Sequence, residues 1–351
     1  MTTIKDVAKL AGVSSSTVSR TLAGSPLVDE KTKQKVFSAA ERLQYIPNQM
    51  ARALKGGRSR TIFLIVPAVD PFFQKLITHF EEALRQRGYA MLLGITNNDP
   101  LAEIRCFNTA RSFSADGIIF VAGSDNCNHI KALIDYGIPT ILINRAWDLG
   151  VSCVTNDNRC GAYTAIEHLI LSGHRRIVCM MRDISIQHFR ERYEGCLQAF
   201  RDYQIPQNDV YFSFVNSIHA VYEETCRLIK SPNPPTAFFC TSDWLVSGIY
   251  SGVMGCGLSI PDDISVVGFD NIEDSQYLIP PLTTWEHPID RISQTAVDIL
   301  LQQIESGSTN WGQKMEIPSR LVERSSVRKL PGASITPPAQ RNSKSTSIHD
   351  T

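Results

Sequence analysis

No run in this chain is apolar for long enough to cross a membrane, and no charged-then-apolar leader opens it, so the expectation is a cytoplasmic protein with no membrane partner. Cysteine occurs nine times, an odd number, scattered and never as Cys-x-x-Cys. That excludes a zinc ribbon, a redox dithiol and a disulfide framework, and the cysteines read as reduced packing residues. The motifs of common α/β enzymes are missing as well. There is no Gly-x-Gly-x-x-Gly after the first strand, no Walker Gly-Lys-Ser/Thr, no Gly-x-Ser-x-Gly elbow and no His-Glu-x-x-His. No catalytic residue, metal site or cofactor is therefore expected. The Pro/Ser-rich tail, 331–351, has no apolar heptads; it is expected to be disordered rather than to form an assembly helix.

What remains is 351 residues with 43% apolar composition, enough for two or three domains. The net charge is zero but unevenly spread. Residues 1–60 hold eleven Lys/Arg against four Asp/Glu, and the other 291 hold 24 against 31. A basic head on an acidic body suits a small module for a polyanion, followed by a domain with other business. Chance clustering is the competing account.

The head carries one compact pattern. Ile4, Val7, Ala8 and Ala11 fall at helical spacing, Gly12 stands where that helix must reverse, Val13 can plug the joint, and Ser14 can cap a second helix. The second helix turns Val18 and Leu22 inward and leaves Ser15, Ser16, Ser19 and Arg20 outside. Small hydroxyls with an arginine on such a face suit a DNA major groove, or form the solvated side of an ordinary helical hairpin. A third helix over 30–44, with Val36, Ala39, Ala40 and Leu43 near one face, completes a mini-core. Pro47 ends it. Asn48 then caps a short helix-capable segment, Gln49 to Lys55, that stops at Gly56-Gly57.

From residue 61 short β-rich runs alternate with amphipathic helices. Runs begin at Ile62, Ala90, Gly117, Thr140, Ile177, Thr236 and Ile264. Helices are expected near 72–87, 100–113, 127–136, 159–172, 190–203, 218–230, 243–255 and 289–305. Such alternation predicts βαβ units and mainly parallel sheets. About 260 residues exceed one such sheet, so two α/β lobes with a ligand between them are expected, the ligand lying beyond the strand C-terminal ends.

These pieces resemble the lactose/galactose-repressor family of bacterial transcription regulators over residues 2–330. The motifs that carry the resemblance are Ile4-Lys5-Asp6-Val7-Ala8, Ala11-Gly12-Val13-Ser14, Thr17-Val18-Ser19-Arg20, Tyr45-Ile46-Pro47-Asn48, Ala51-Arg52-Ala53-Leu54, Asp116-Gly117-Ile118-Ile119, Gly173-His174-Arg175-Arg176-Ile177, Ile260 to Asp270 and Pro281-Leu282-Thr283-Thr284. The resemblance implies a helix-turn-helix head (1–47), a hinge helix and linker (48–60), a two-lobed periplasmic-binding-protein-like effector and dimerisation domain with three crossovers (61–330), and the tail. It further implies a repressing homodimer on a pseudo-palindromic operator at the nucleoid, controlled by a sugar or sugar derivative. Ser15, Ser16, Thr17, Ser19 and Arg20 match its recognition helix, and Asn48, Arg52, Ala53, Leu54 and Lys55 its hinge. There a leucine wedges into the minor groove, although Leu54 is also what an ordinary linker would carry.

In the body the same resemblance points to Asp70, Phe72, Phe73, Asn144, Arg145, Asn156, Arg192, Ser242 and Asp270 as effector residues. Phe72 and Phe73 suit ring stacking or plain core, and Arg192 with Asp270 suits hydroxyl recognition or a structural ion pair. Asn216, His188, His287 and Trp285 fall near cleft positions. Where the family often has an aromatic platform near 216, this chain has Asn216, with Phe214 two residues earlier. Arg190 beside Arg192 hints at an acidic or phosphorylated sugar. Asp243 reads as a helix cap. Three rivals remain: an enzyme, a transport sugar-binding protein, and a head on a ligand-free dimeriser.

Overall fold

A computed structural model describes residues 2–22, 25–45, 58–123, 128–145, 149–307 and 312–331. The chain divides into two compact units, Met1–Arg60 and Thr61–Thr351. The first contains α1 (Ile4–Ala11), α2 (Ser15–Leu22) and α3 (Glu30–Arg42). Thr3 and Asp6 form a capping box at the start of α1, and Gly12 takes φ 68° to end it, a left-handed turn that a side chain would strain. Ser14 Oγ accepts from Thr17 N at 3.1 Å, capping α2, and Asp29 caps α3 through Thr32 N. Val7, Ala8, Val18, Val36, Ala39 and Ala40 make the core, with Ile4, Ala11, Val13, Leu22 and Leu43 packed around it. The third helix ends two residues short of the expected boundary, because Gln44 turns to φ 47°.

The second unit has two six-stranded sheets. Lobe 1 uses the order β11-β5-β4-β3-β1-β2, with β1 (Thr61–Val66), β2 (Ala90–Ile95), β3 (Gly117–Val121), β4 (Thr140–Ile143), β5 (Ser152–Asn156) and β11 (Lys314–Ile317). Lobe 2 uses β12-β10-β9-β8-β6-β7, with β6 (Ile177–Met181), β7 (Val210–Phe214), β8 (Ala237–Cys240), β9 (Ser265–Asp270), β10 (Thr283–Glu286) and β12 (Leu321–Val322). Every pairing is parallel except β10 with β12.

Helices cover both faces of each sheet, which is why central strands such as β1 and β6 are continuous apolar runs. In lobe 1, α4 (Pro71–Gln86) and α11 (Ile289–Ser306) pack one face, and α5 (Pro100–Ser112) and α6 (Asn128–Ile134) the other. In lobe 2, α7 (Asn158–Leu171) and α8 (Gln187–Asp202) face α9 (Ile218–Ile229) and α10 (Asp243–Gly255) across the sheet. Helices α7 and α8 touch closely because residue 195 is glycine: a Cβ there would lie 2.2 Å from the Arg159 carbonyl oxygen.

The chain passes between the lobes after β5, after β10 and after β11, so there are three crossovers. All eight expected body helices are present within a few residues; α8 starts three residues early, at Gln187. Five strands, β5, β7, β10, β11 and β12, go beyond the seven expected runs. Strands β5, β10, β11 and β12 are short or polar, so no apolar run marks them, whereas β7 does open on Val-Tyr-Phe but lies half-exposed at the sheet edge.

Candidate functional site

The head presents its polar face on α2. Ser16 and Arg20 are exposed, and Ser15, Thr17 and Ser19 are half-exposed. Ser14 Oγ lies 2.7 Å from Ser16 Oγ and 2.9 Å from Thr17 Oγ1, so these hydroxyls are partly committed to the cap. The buried Thr21 donates to Thr17 O at 2.9 Å. Among the named side chains Arg20 has the reach and the donors to read a base edge. Asn48, Arg52, Ala53, Leu54 and Lys55 lie outside the described residues, as do residues 332–351 of the tail.

The body contains a cleft of about 690 Å³, part of it open to solvent, bounded by strand ends of both lobes. That is where open α/β sheets place ligands. Eight of the nine residues singled out from sequence line it: Asp70, Phe72, Phe73, Asn144, Arg145, Arg192, Ser242 and Asp270. Lobe 1 supplies the start of α4. There Asp70 caps the helix by accepting from Phe73 N at 3.1 Å, and the rings of Phe72 and Phe73 meet edge to face at 5.2 Å. Both phenylalanines also pack on the lobe 1 core, so the two readings of them coexist. After β4, Asn144 takes φ 58° and its buried Oδ1 has no hydrogen-bond partner among the described residues. Arg145 is 1% exposed and donates to Ala122 O at 3.3 Å. Burial presses its pKa down to about 10, with Glu191 and Glu103 pulling the other way, so it remains a cation at neutral pH.

Lobe 2 supplies the charged frame. Arg192 donates from Nε to Asn158 Oδ1 at 3.0 Å, from Nη1 to Thr241 O at 2.5 Å and Asp270 Oδ1 at 3.3 Å, and from Nη2 to His287 Nε2 at 3.0 Å. Its guanidinium stacks 3.7 Å from the Phe269 ring centroid. Asp270 ends β9 at φ 120° and accepts from Ser242 Oγ at 3.0 Å. Burial raises its pKa to about 7, against the downward pull of Arg192. Because His287 Nε2 accepts from Arg192, its proton sits on Nδ1, which has no partner among the described residues. Burial and the Arg192 charge keep that imidazole neutral.

The ninth residue, Asn156, is not in the cleft wall. It is the last residue of β5, just before the first crossover, with Nδ2 3.4 Å from His287 Nε2. Of the cleft-adjacent positions, His188 lines the cleft, whereas His287 stands behind Arg192, Trp285 is in the lobe 2 core, and Asn216 and Phe214 are exposed elsewhere. Arg190 donates to the Ile184 and Ser185 carbonyls instead of facing the cleft. Asp243 is no helix cap. It is buried and accepts from Ser275 Oγ at 2.6 Å, Thr284 Oγ1 at 2.8 Å and Ile272 N at 3.3 Å, which pins the loop after β9. Sequence reasoning does not single out Asn98, Arg182, Ile186 or Phe189, all in the wall. The strand-end rule was the available signal for Arg182, which directly follows β6.

Residues 3–48 match the model for bacterial regulatory proteins of the lacI family, and residues 166–327 match a periplasmic binding protein-like domain. The HTH-type transcriptional repressor PurR of Actinobacillus pleuropneumoniae serotype 3 (strain JL03) is 33% identical over 336 residues, covering 94% of this chain and 99% of that protein. The probable HTH-type transcriptional repressor ExuR of Bacillus subtilis (strain 168) is 34% identical over 340 residues, with 94% and 99% coverage. A lac repressor dimer bound to operator and the anti-inducer ONPF superposes with a TM-score of 0.83 at 25% identity, covering 93% of this chain and 99% of that one. A LacI family transcriptional regulator from Enterococcus faecium with bound ribose gives 0.69 at 30% identity, with 77% and 99% coverage. With its helix-turn-helix head, its two-lobed body and relatives matched along nearly their whole length, this chain belongs to the lacI family of bacterial regulatory proteins.

Proposed function

We propose that this protein is a repressor whose grip on DNA is set by a small sugar or sugar derivative bound in the cleft. The observation that carries this reading is the joining, in one chain, of a helix-turn-helix head to a cleft bounded by strand ends, with Arg192 and Asp270 locked at its base. The chain acts as a homodimer inside the cell, with two heads on a pseudo-palindromic site. The head spans 1–47, the hinge and linker 48–60, the body 61–330 and a tail 331–351. Ser15, Ser16, Thr17, Ser19 and Arg20 face the major groove. Leu54, flanked by Asn48, Arg52, Ala53 and Lys55, wedges into the minor groove.

The hinge segment is too short to be a stable helix alone, so it forms only against its twin and DNA. Effector binding alters how the lobes are held, and thereby the hinge. Regulation rather than catalysis is supported by the relatives, which are transcriptional repressors. A test is DNA binding by the full-length protein to selected genomic fragments. Affinity should fall steeply with salt as phosphate contacts release counterions, and Leu54→Ala should weaken it while the body stays folded. A flat salt response sinks the DNA reading; an unchanged Leu54→Ala sinks the wedge.

A further inference from the structure

The cleft wall contains three arginines, and they are not equivalent. Arg192 is spent: its guanidinium already serves Asn158, Thr241, Asp270 and His287. Arg145 is wholly buried, bonded to the Ala122 carbonyl and electrostatically offset by Glu191 and Glu103, neither of which lines the cleft. Arg182 is different. Its side chain keeps 27% exposure, and among the described residues its guanidinium donates no hydrogen bond. Among the described residues its one ion-pair partner is Asp70 across the cleft, 4.0 Å away and already the cap of α4.

Phe189 holds this guanidinium in place. The same ring carries Arg182 at 5.0 Å and Arg192 at 5.3 Å from its centroid, so one aromatic side chain brings two cations to the cleft. Their charges repel, and the charge of Arg182 works against that of Arg192. An oxyanion seated against Arg182 relieves that repulsion and takes up donors that have no other use. A neutral polyol satisfies hydroxyl readers such as Asn144 Oδ1, whose buried acceptor has no partner among the described residues, but it leaves Arg182 with only the long 4.0 Å pairing to Asp70 and none of its guanidinium donors used.

Building on the proposed effector cleft, the geometry points to an effector that carries an oxyanion, a carboxylate or a phosphate, held by Arg182, with its hydroxyls read by Asn144 and Asp270. Arg182 is then the residue that sets the effector's charge class. The assignment replaces the pair Arg190 and Arg192 as the source of acid preference, since Arg190 lies outside the cleft wall.

The test is calorimetric titration of the full-length protein with matched probes: glucuronate and galacturonate, glucose 6-phosphate and galactose 6-phosphate, the neutral parent hexoses, and hypoxanthine as a neutral purine. An acid or a phosphate ester should bind about tenfold or more tightly than its neutral parent, and which of the two does so identifies the anion. Arg182→Gln should weaken that anion about tenfold or more while leaving the weak binding of the neutral parent and the melting temperature in place. Arg182→Lys should retain part of the preference. Binding of a neutral hexose or hypoxanthine without charge preference, or an anion affinity unmoved by Arg182→Gln, overturns the assignment and leaves the effector cleft standing. Silence from every probe, charged and neutral, counts against both.

Discussion

The head and the body use arginine in opposite ways. Arg20 stands exposed on an eight-residue helix, placed by its own neighbours: the Gly12 turn, the Ser14 cap and the burial of Val18. Arg192 is 3% exposed and placed by residues up to 95 positions away, among them Asn158, Thr241, Asp270 and His287. An exposed arginine with local support can be removed without disturbing the fold and loses its partner's information. A buried arginine at the meeting of distant segments is first of all a structural tie. On the roles proposed above, a reader of DNA and a reader of small molecules place the same side chain under different constraints, and in the body the tie, Arg192, and the proposed reader, Arg182, are separate arginines.

Arg192→Leu should have the largest effect. It leaves Asp270, Asn158 and His287 without their buried partner, and loss of one member of a buried pair costs about 3–5 kcal/mol. Urea denaturation of the body should show it; a cost under about 1 kcal/mol would erase the contrast with Arg20.

Acid should separate the two regions next. His174 is buried, 3.1 Å from Thr236 Oγ1 and 3.1 Å from the Arg328 carbonyl oxygen, and burial depresses its pKa from 6.5 to about 4. A depressed histidine contributes stability that is full above its unfolded pKa and is lost as pH falls through the folded value. This share, about 3 kcal/mol, should disappear between pH 6.5 and 4. Relative to His174→Gln, the wild type should lose this share of its urea midpoint in that window, on top of whatever the other buried histidines and Asp270 contribute to both proteins. The head has no histidine, and hydrogen bonds from Thr3 and Thr32 hold Asp6 and Asp29 below the usual carboxylate range. Its helices should therefore outlast the body's loss of stability. Equal softening of head and body would contradict the account.

Arg20→Ala should leave both melting transitions in place and remove about 1–3 kcal/mol of discrimination between the selected site and one changed at a single guanine. Uniform weakening on every sequence would reduce Arg20 to a phosphate contact. The smallest expected effect is Gly12→Ala, where a side chain forced to φ 68° costs about 1–2 kcal/mol of head stability. No change in the head's melting would mean that the turn relaxes.

These differences also explain what the sequence made legible. The head was readable nearly to the residue, since caps, turn and core positions lie within a few residues of one another. The body helices were readable from periodicity, and the central strands from apolar runs. Strands β10 and β11 were not: Thr283–Glu286 and Lys314–Ile317 are short and polar, and they are strands only because the sheet beside them supplies partners. Resemblance led to eight residues of the cleft wall, but it could not rank them. The saturation of Arg192 and the spare donors of Arg182 follow from where Asn158, Thr241 and His287 meet, which no local spacing encodes. Asp243 taught the same lesson. A carboxylate at a helix start reads as a cap, yet here it ties down Ser275 and Thr284.

The central claim is that the cleft controls the head, and the most direct measurement is DNA affinity by fluorescence anisotropy with and without the anion selected by titration, for the wild type and for Arg182→Gln. The account predicts that a saturating anion changes the wild-type affinity for the selected site about 5- to 150-fold. At an anion concentration near the wild-type dissociation constant, Arg182→Gln should show little of the change seen in the wild type, while binding DNA alone as the wild type does. A DNA affinity that no cleft-binding anion alters, in a protein shown to bind both, would contradict it.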